Sequence, residues 1–380
     1  MSARPLRIGV IGCGGIAQMM HLPHLNERPD LFDVRIIADV KQDVLDWVGQ
    51  RYGIKERTVD PMKVVTHKDV EAVLLLASGS HEALARATLE NKKHLFVEKP
   101  FGYDIPETES LIAVAKKSGM QAMVGYHKRF DPAFRRAREL VKAMPEGLRF
   151  VEVTVLHPDD GAYRAHHPIG PNPENTYRYS AEAEAADVRG TQAAVTDSPV
   201  AKHMFEVAGA KATLDQRVAA KIATESLIHD LNVVRGVLGE PERVVTAHTW
   251  QNGFAQHSLT KFAGDVHASI SWVLVPGVKN YEERVRFTGN HGRVTLVFPS
   301  PYLRNLPTPL FIERMDKDDL VVESRTVNYD EAFRNELLAF REQALSGKAG
   351  EITLEEPLGD ARWIAAIARA FGGSPQAVAR

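Results

Sequence analysis

The first third of the chain alternates short, continuous apolar runs with amphipathic segments. Continuous apolar runs are typical of strands buried on both faces, and the segments between them have the 3.6-residue period of helices. This alternation predicts a parallel sheet that is covered by helices on both faces. The predicted strands are Ile8–Ile11, Val34–Ala38, Ala72–Leu76, His94–Val97 and Ala122–Gly125, and the predicted helices span about 41–52, 80–91 and 106–118.

Beyond residue 128 the pattern changes to an alternation of apolar and polar positions. Such alternation is typical of strands with one buried face, and it predicts an open, mostly antiparallel sheet. The segment from Asp159 to Thr213 is predicted to be a loop followed by a helix. The predicted strands are Phe150–Val155, Val266–Trp272, Val285–Phe287 and Val294–Val297, and the predicted helices span about Leu214–Leu238, 330–346 and 354–371.

A glycine-rich turn follows the first predicted strand, in the run Gly12-Cys13-Gly14-Gly15-Ile16-Ala17. In a strand–turn–helix unit the first glycine allows the tight turn, and the second lets a pyrophosphate approach the backbone. Ala17 is small enough to keep helix and strand close, and the helix N-terminus attracts an anion. Asp39 ends the second strand, where such folds hydrogen-bond the adenosine ribose. The unit predicts a dinucleotide site, with a purely structural turn as the alternative.

The whole chain is too long for a single hydrophobic core to organise, so we expect two domains. The fold class is α/β, with a Rossmann dinucleotide-binding domain over residues 1–127. An α+β domain with an open, mostly antiparallel sheet is expected over residues 128–380, and its last helix is expected to pack back on the first domain.

The composition is that of an ordinary globular protein, with 44% hydrophobic residues, 25% charged residues and a net charge of −2. No long basic block is present, so we expect no nucleic-acid or membrane binding. No apolar run has transmembrane length, and the first strand begins too early to leave room for a signal peptide, so we expect a cytoplasmic protein. Cys13 is the single cysteine, which excludes an intrachain disulfide and a CxxC motif.

The strand that ends at Val97 leads directly into Glu98-Lys99-Pro100. In an open parallel sheet, ligands bind outside the carboxyl ends of the strands. Lys99 is therefore expected near the nicotinamide, where it can hydrogen-bond a substrate oxygen and stabilise its charge during hydride transfer. The alternative is an ordinary surface lysine after a strand.

A second candidate lies on the helix predicted from Leu214, where Glu225 and His229 are four residues apart and share a face. A histidine titrates near neutrality, which suits it to accept a hydroxyl proton while the carbon loses hydride. The alternative is an exposed ladder of ion pairs formed by Lys221, Glu225 and His229.

In their order and spacing, these features resemble the glucose–fructose oxidoreductase/inositol dehydrogenase (Gfo/Idh/MocA) family. The resemblance covers nearly the whole chain, and its most specific parts are Glu98-Lys99-Pro100 and Ile228-His229-Asp230. It also includes the run Val124-Gly125-Tyr126-His127-Lys128-Arg129-Phe130-Asp131-Pro132. The usual chemistry of that family is reversible NAD(P)-linked oxidation of a sugar or cyclitol hydroxyl.

The resemblance implies a role for individual residues. Lys99 matches the lysine that contacts the reacting hydroxyl, and His229 matches the acid/base histidine. Glu98 resembles the acid near the nicotinamide ribose, and His81 resembles a histidine beside the cofactor. The implied cofactor-binding residues are Gly12, Gly14, Gly15, Ile16, Ala17, Asp39, Ser78, His81, Glu98, Lys99 and His127.

This chain departs from the family pattern near the histidine. Glu225 stands where the family often has an aspartate, and it is implied as a third catalytic and substrate-binding residue. Leu227, Asn232 and His127 replace a frequent glycine, aspartate and asparagine.

The loop from Asp159 is the expected source of substrate contacts. His157, Tyr163 and Tyr177 are candidates for them by their position. The histidines have no metal-ligand spacing, so no metal site is expected.

The predicted function is an NAD-dependent dehydrogenase of a sugar, glycoside or polyol hydroxyl. The Asp39 charge repels a 2′-phosphate and favours NAD, while the nearby Lys41 leaves NADP open. The alternatives are a redox-neutral enzyme that cleaves glycosides through transient oxidation, and a non-catalytic sugar or dinucleotide sensor. The resemblance also implies a homodimer or homotetramer that associates through the second sheet.

Overall fold

The computed structural model describes residues 4–144, 147–171 and 180–378, and these divide into two compact units. Each unit is discontinuous in sequence, whereas the predicted domains 1–127 and 128–380 are continuous. Unit 1 comprises the described residues of Met1–Tyr126, Arg164–Tyr177 and Phe333–Leu358, and unit 2 comprises those of His127–Tyr163, Arg178–Ala332 and Gly359–Arg380.

Unit 1 contains a six-stranded parallel sheet in the order β3-β2-β1-β4-β5-β6. Its strands are β1 (Leu6–Ile11), β2 (Phe32–Ala38), β3 (Glu56–Thr58), β4 (Ala72–Leu75), β5 (His94–Glu98) and β6 (Ala122–Gly125). The predicted strands of this part are confirmed, and β3 is additional. The strand order reverses between β1 and β4, and the crevice at such a point is where parallel sheets bind nucleotides.

The helices of this part begin and end at the residues that physical chemistry favours. In the helix Ile105–Ser118, the Asp104 carboxylate caps the first turn by accepting a hydrogen bond from the Glu107 N–H at 2.8 Å, and Gly119 ends the helix with a φ of 71°. A five-residue π-helical segment, Ala17–His21, precedes α1. The helices are α1 (Leu22–Glu27), α2 (Gln42–Tyr52), α3 (Pro61–Val65), α4 (Glu82–Glu90) and α5 (Ile105–Ser118).

Unit 2 contains a nine-stranded sheet in the order β14-β13-β12-β11-β7-β10-β9-β8-β15. Neighbouring strands are antiparallel except β7 and β10, which confirms the mostly antiparallel prediction. In β7, Val151, Val153 and Val155 are buried in alternation with partly exposed residues. The strands are β7 (Leu148–His157), β8 (Arg243–Trp250), β9 (Ala255–Lys261), β10 (His267–Leu274), β11 (Glu282–Gly289), β12 (Gly292–Phe298), β13 (Leu310–Asp316), β14 (Asp319–Arg325) and β15 (Gln376–Ala377).

The long helix predicted from Leu214 to Leu238 is present, but a second π-helical segment, Ala223–Leu227, interrupts it. No helix among the described residues is long and apolar enough to cross a membrane. The helices after residue 127 are α6 (Pro132–Lys142), α7 (Gly161–Arg164), α8 (Ala181–Ala194), α9 (Ala201–Ala208), α10 (Leu214–Ile222), α11 (Ile228–Leu238), α12 (Ala332–Ser346) and α13 (Glu356–Ala370).

The conformation of Gly12, in the turn after β1, allows a direct test of stability. Gly12 has a φ of 92°, and a Cβ atom added there would lie 2.4 Å from the backbone nitrogen of Ala77. We expect Gly12→Ala to lower the free energy of unfolding by at least about 1–3 kcal/mol, because the side chain adds strain and a backbone clash. Thermal and urea unfolding measure the change.

Gly14→Ala is the matched control, because a Cβ atom there would meet no atom within 4 Å. Its free energy of unfolding is expected to stay within about 0.5 kcal/mol of the parent. Equal stabilities of the two variants would contradict the role assigned to Gly12.

Candidate active site

The glycine turn in unit 1 has space for a ligand on one side and close packing on the other. Nothing lies within 4 Å of a Cβ atom built on Gly14, and the described neighbour of Gly15 is the flexible end of Met19. Ala17 is fully buried, in agreement with its predicted packing role. A pyrophosphate therefore fits the backbone at Gly14, and the start of the following helix supplies N–H groups for it.

Asp39 holds the turn in place. One carboxylate oxygen accepts a hydrogen bond from the Cys13 N–H at 2.8 Å, and the other accepts one from the Lys41 N–H at 3.0 Å. Each carboxylate oxygen has two lone pairs, so both retain capacity for a ribose hydroxyl. Burial, with a smaller effect of the Asp39 charge, raises the pKa of the Cys13 thiol to about 12, so this cysteine is a packing residue and not a nucleophile.

The loop after β4 contains Ser78, which is exposed, and His81, which is 4% exposed. The His81 Nδ1 lies 2.9 Å from the Pro100 carbonyl oxygen, and its Nε2 lies 2.8 Å from the Ala77 carbonyl oxygen. Since a carbonyl oxygen only accepts, a ring nitrogen that carries a proton donates it to the carbonyl that it faces. His81 thus links this loop to the segment after β5, and its predicted cofactor contact stays a prediction.

Lys99 follows β5 directly and is partly exposed, whereas Glu98 points inward and is 8% exposed. The Glu98 Oε1 atom lies 2.7 Å from the His21 Nε2 atom. The contact with His21 was not predicted, and the predicted position of Glu98 near the nicotinamide ribose stays a prediction. A carboxylate oxygen of Glu336, in α12, lies within 4.8 Å of these two side chains. Its burial has a signal in the sequence, because Glu336 is a charged residue among the apolar positions of a helix.

In unit 2, Glu225 lies in the π-helical segment and His229 lies in the first turn of α11. Glu225 forms an ion pair with Lys221, so this part of the predicted ladder is present. The His229 ring packs against the His127 ring at a centroid distance of 4.7 Å. His127 was predicted to bind the cofactor, and unit 2 places it beside the candidate acid/base residue.

A buried charge cluster lies next to His229 in sequence. The Lys128 ammonium, 6% exposed, forms ion pairs with Asp230 at 3.3 Å and with Glu283. The Tyr281 hydroxyl donates to the Glu283 carboxylate at 2.7 Å. Burial raises the pKa of Asp230, and the Lys128 charge opposes this rise. Because Asp230 directly follows His229, this cluster fixes the position of the helix that presents the histidine.

Asn232 takes part in a second buried network of unit 2. Its side-chain N–H donates to the Asp360 carboxylate at 2.8 Å, and its carbonyl oxygen accepts from the Arg129 guanidinium at 3.2 Å. Arg235 forms an ion pair with Asp360 at 2.7 Å. The departure from the family pattern at Asn232 thus completes an amide–carboxylate–guanidinium network.

His157 and Tyr163 belong to an aromatic cluster of unit 2. The His157 ring lies 5.5 Å from the ring centroids of both Trp272 and Tyr281. The Tyr163 hydroxyl accepts from the Tyr281 N–H at 2.6 Å and donates to the Lys279 carbonyl at 2.9 Å. Tyr163 therefore binds the backbone of the segment before β11, and its substrate role stays a prediction. Tyr177 lies outside the described residues.

Comparisons with known proteins identify a family and relatives that this chain resembles. Residues 6–126 match the model of the GFO_IDH_MocA family, described as an oxidoreductase family with an NAD-binding Rossmann fold. The chain is 32% identical over 138 residues to myo-inositol 2-dehydrogenase of Thermotoga maritima, a match that covers 36% of this chain and 41% of the relative.

Two further relatives extend the comparison. The chain is 30% identical over 182 residues to dTDP-3,4-didehydro-2,6-dideoxy-alpha-D-glucose 3-reductase of Actinomadura kijaniata, which covers 48% of this chain and 51% of the relative. The matches thus span about half the length of these curated relatives or less. The structure of apo scyllo-inositol dehydrogenase from Lactobacillus casei matches with a TM-score of 0.71 at 20% identity, covering 100% of both chains, and shows the same fold.

Removal of the Lys128 charge is expected to have a large effect on stability. Lys128→Met removes the cation and leaves the buried carboxylates of Asp230 and Glu283 close together, so we expect a loss of about 3–5 kcal/mol in the free energy of unfolding. Adding Glu283→Gln is expected to restore part of the loss, because one of the two charges disappears. Chemical unfolding of the single and double variants measures both effects.

The matched control is Lys117→Met, because Lys117 is exposed on α5. Its stability is expected to change by less than about 0.5 kcal/mol. If Lys128→Met were as stable as this control, the cluster would have no structural importance.

Proposed function

We propose that this chain, which belongs to the Gfo/Idh/MocA oxidoreductase family through residues 6–126, transfers hydride between NAD(P) and a secondary hydroxyl of a sugar, glycoside or cyclitol. The observation that carries the proposal is the glycine turn, which has open space at Gly14 and the Asp39 carboxylate hydrogen-bonded to its backbone. The names of the relatives, an inositol dehydrogenase and a reductase of a nucleotide-linked sugar, support this class of substrate.

The proposed roles follow from the chemistry of the side chains. A bound nicotinamide supplies the hydride acceptor or donor. Lys99 hydrogen-bonds the reacting oxygen and stabilises the negative charge that it gains. His229 accepts the hydroxyl proton during oxidation and returns it during reduction. Glu225 hydrogen-bonds a substrate hydroxyl and keeps Lys221 as its counter-ion.

The structure supports an oriented His229. The His127 ring limits the motion of its imidazole, and Asp230 is held by Lys128. A catalytic base needs a fixed position as well as a suitable pKa, because a proton moves only over hydrogen-bond distance. The buried cluster of unit 2 therefore has a function in the proposed reaction beyond stability.

Replacement of either proposed catalytic residue tests the mechanism. Lys99→Ala and His229→Ala are each expected to lower kcat by about 10²- to 10⁴-fold, the usual contribution of a general acid or base. Thermal unfolding is expected to change little in both variants, and cofactor affinity is expected to change little in His229→Ala. Nicotinamide absorbance over a panel of sugars, glycosides and inositols measures turnover, and fluorescence titration measures cofactor binding.

Lys117→Ala and His248→Ala are matched controls, because both residues are exposed. They are expected to keep the parent's turnover. Full turnover of both Lys99→Ala and His229→Ala would show that the mechanism is wrong. Cofactor binding without turnover on any compound would favour a sensor, and glycoside cleavage without added cofactor would favour the redox-neutral reaction.

The proposed cofactor is NAD, because the Asp39 charge repels the 2′-phosphate of NADP. Asp39→Asn removes the charge and keeps an oxygen for the Cys13 N–H. The ratio of kcat/KM for NADP over NAD is expected to rise at least about tenfold, which corresponds to about 1.4 kcal/mol. Steady-state kinetics with both cofactors measures the ratio. The exposed Asp43 provides the control Asp43→Asn, and an unchanged ratio in Asp39→Asn would contradict the proposal.

The proposal includes cytoplasmic residence and a homodimer or homotetramer. Exposed apolar side chains on β13 and β14 support association, because such groups are commonly covered at protein interfaces. Met315 is 50% exposed, Leu320 is 63% exposed and Val322 is 64% exposed.

A further inference from the structure

A cluster of three titratable residues lies buried in unit 1. His21 and Glu336 are 0% exposed and Glu98 is 8% exposed. One side-chain nitrogen or oxygen atom of each residue lies within 4.8 Å of the corresponding atoms of the other two. His21 ends the first π-helical segment, Glu98 ends β5 and Glu336 lies in α12. Three separate elements therefore meet at this cluster.

The surroundings of the cluster are apolar. The His21 ring packs edge-on against Phe96 at 5.4 Å and against Phe333 at 5.6 Å. Phe340, one turn after Glu336, packs against Phe96 at 5.6 Å. An unpaired charge in such a site is strongly unfavourable, so the two carboxylates cannot both be ionised without compensation.

The two carboxylates differ in their hydrogen bonds. Glu98 is hydrogen-bonded to the His21 Nε2 atom at 2.7 Å. Neither carboxylate oxygen of Glu336 has a hydrogen-bond partner among the residues that the structure describes. Buried polar atoms in proteins are almost always paired, so this carboxyl group needs a further proton, water or ion.

We propose that Glu336 is a carboxylic acid that keeps its proton at neutral pH, donates it in a hydrogen bond to Glu98, and thereby positions Lys99. The proton gives one oxygen of Glu336 a hydrogen-bond partner and leaves Glu98 as the single charged carboxylate of the cluster. Glu98 then accepts hydrogen bonds from two sides, which fixes the end of β5 and the residue that follows it. The role of Lys99 rests on the proposed function, whereas the proton on Glu336 does not.

The electrostatics of the facing groups agree with this assignment. Burial, with the Glu98 charge, raises the pKa of Glu336 well above its ordinary value. Burial opposes ionisation of Glu98 too, but the His21 hydrogen bond and the charges of His21 and Lys99 outweigh it and lower its pKa. Gly125 of β6 leaves room for this carboxylate, since a Cβ there would lie 3.3 Å from Oε1 of Glu98.

A metal ion is the competing occupant, because an imidazole and two carboxylates can also bind a divalent cation. The imidazole–carboxylate distance of 2.7 Å is that of a hydrogen bond, which favours a proton between these two groups. Elemental analysis of the purified protein therefore belongs to the test.

The first experiment measures stability against pH for the parent and Glu336→Gln. The parent's folded state holds a proton that its unfolded state loses above pH 4.5, so its stability must fall as pH rises toward the folded-state pKa. Glutamine has the shape of the neutral acid and no proton to lose. As pH rises through this range, the ratio of the variant's folding equilibrium constant to the parent's should therefore increase by up to about tenfold per pH unit.

The second experiment measures kcat against pH with Glu336→Gln and Glu336→Leu. Leucine suits the apolar site and keeps the fold, but it cannot donate to Glu98. We expect kcat to fall by about tenfold or more in Glu336→Leu, the equivalent of one hydrogen bond to a charged group, with an altered pH profile. Glutamine is expected to rescue both, because its amide donates to Glu98.

The outcomes separate the two proposals. A constant stability gap between parent and Glu336→Gln at all pH values would overturn the buried acid, and so would a stoichiometric metal that Glu336→Gln loses. Equal kcat values and pH profiles for all three proteins would overturn the positioning of Lys99. Absence of turnover together with the expected stability gap would reject the proposed function and leave the buried acid standing.

Discussion

The hydrogen bond from the Cys13 N–H to the Asp39 carboxylate connects the two strands on which the cofactor proposal depends. It joins the turn after β1 to the end of β2 and holds the backbone where Gly14 is open to a ligand. In the proposed function the same carboxylate also binds the adenosine ribose, so one side chain would both shape the turn and select the nucleotide. A substitution at this position therefore changes two properties together, and only a variant that retains an acceptor oxygen can separate them.

The packing of unit 2 depends instead on buried charges that are paired with one another. Lys128 lies among Asp230, Glu283 and the Phe298 ring, so one cation faces two carboxylates and an aromatic surface. Arg129, the next residue, takes part in the network of Asn232 and Asp360. Two consecutive basic residues thus hold successive parts of α11, the helix that carries His229. Such clusters add little net stability but make one arrangement strongly preferred over others, as an unpaired buried charge is costly.

The parts of the molecule that local pattern determines could be predicted from the sequence. Continuous apolar runs identified the parallel strands, and the glycine turn identified the nucleotide crevice, because both depend on neighbouring residues. The pairing of Lys128 with Glu283 could not be foreseen, since a sequence with no alignment contains no signal for contacts between distant residues. Glu336 stands among the apolar positions Phe333, Leu337 and Phe340 of α12, and it was missed because a single glutamate on a helix is usually interpreted as solvent-exposed. The ion pair of Lys221 and Glu225 follows from helical spacing, which is why it was anticipated.

Because of the π-helical segment Ala223–Leu227, the number of residues between α10 and α11 matters as much as their identity for where each side chain points. Such a segment accommodates one extra residue, and one residue corresponds to a rotation of about 100° around the axis of an α-helix. The residues of α10 and α11 therefore occupy angular positions that an uninterrupted helix of the same sequence would not provide. Deletion of a single residue here would restore a regular helix and leave His229 at the same angle to the packed face of α10. A regular helix of the full sequence, in contrast, would turn His229 by about 100°. Natural variation at this place should thus be sought in insertions and deletions, which a residue-by-residue comparison of side chains does not register.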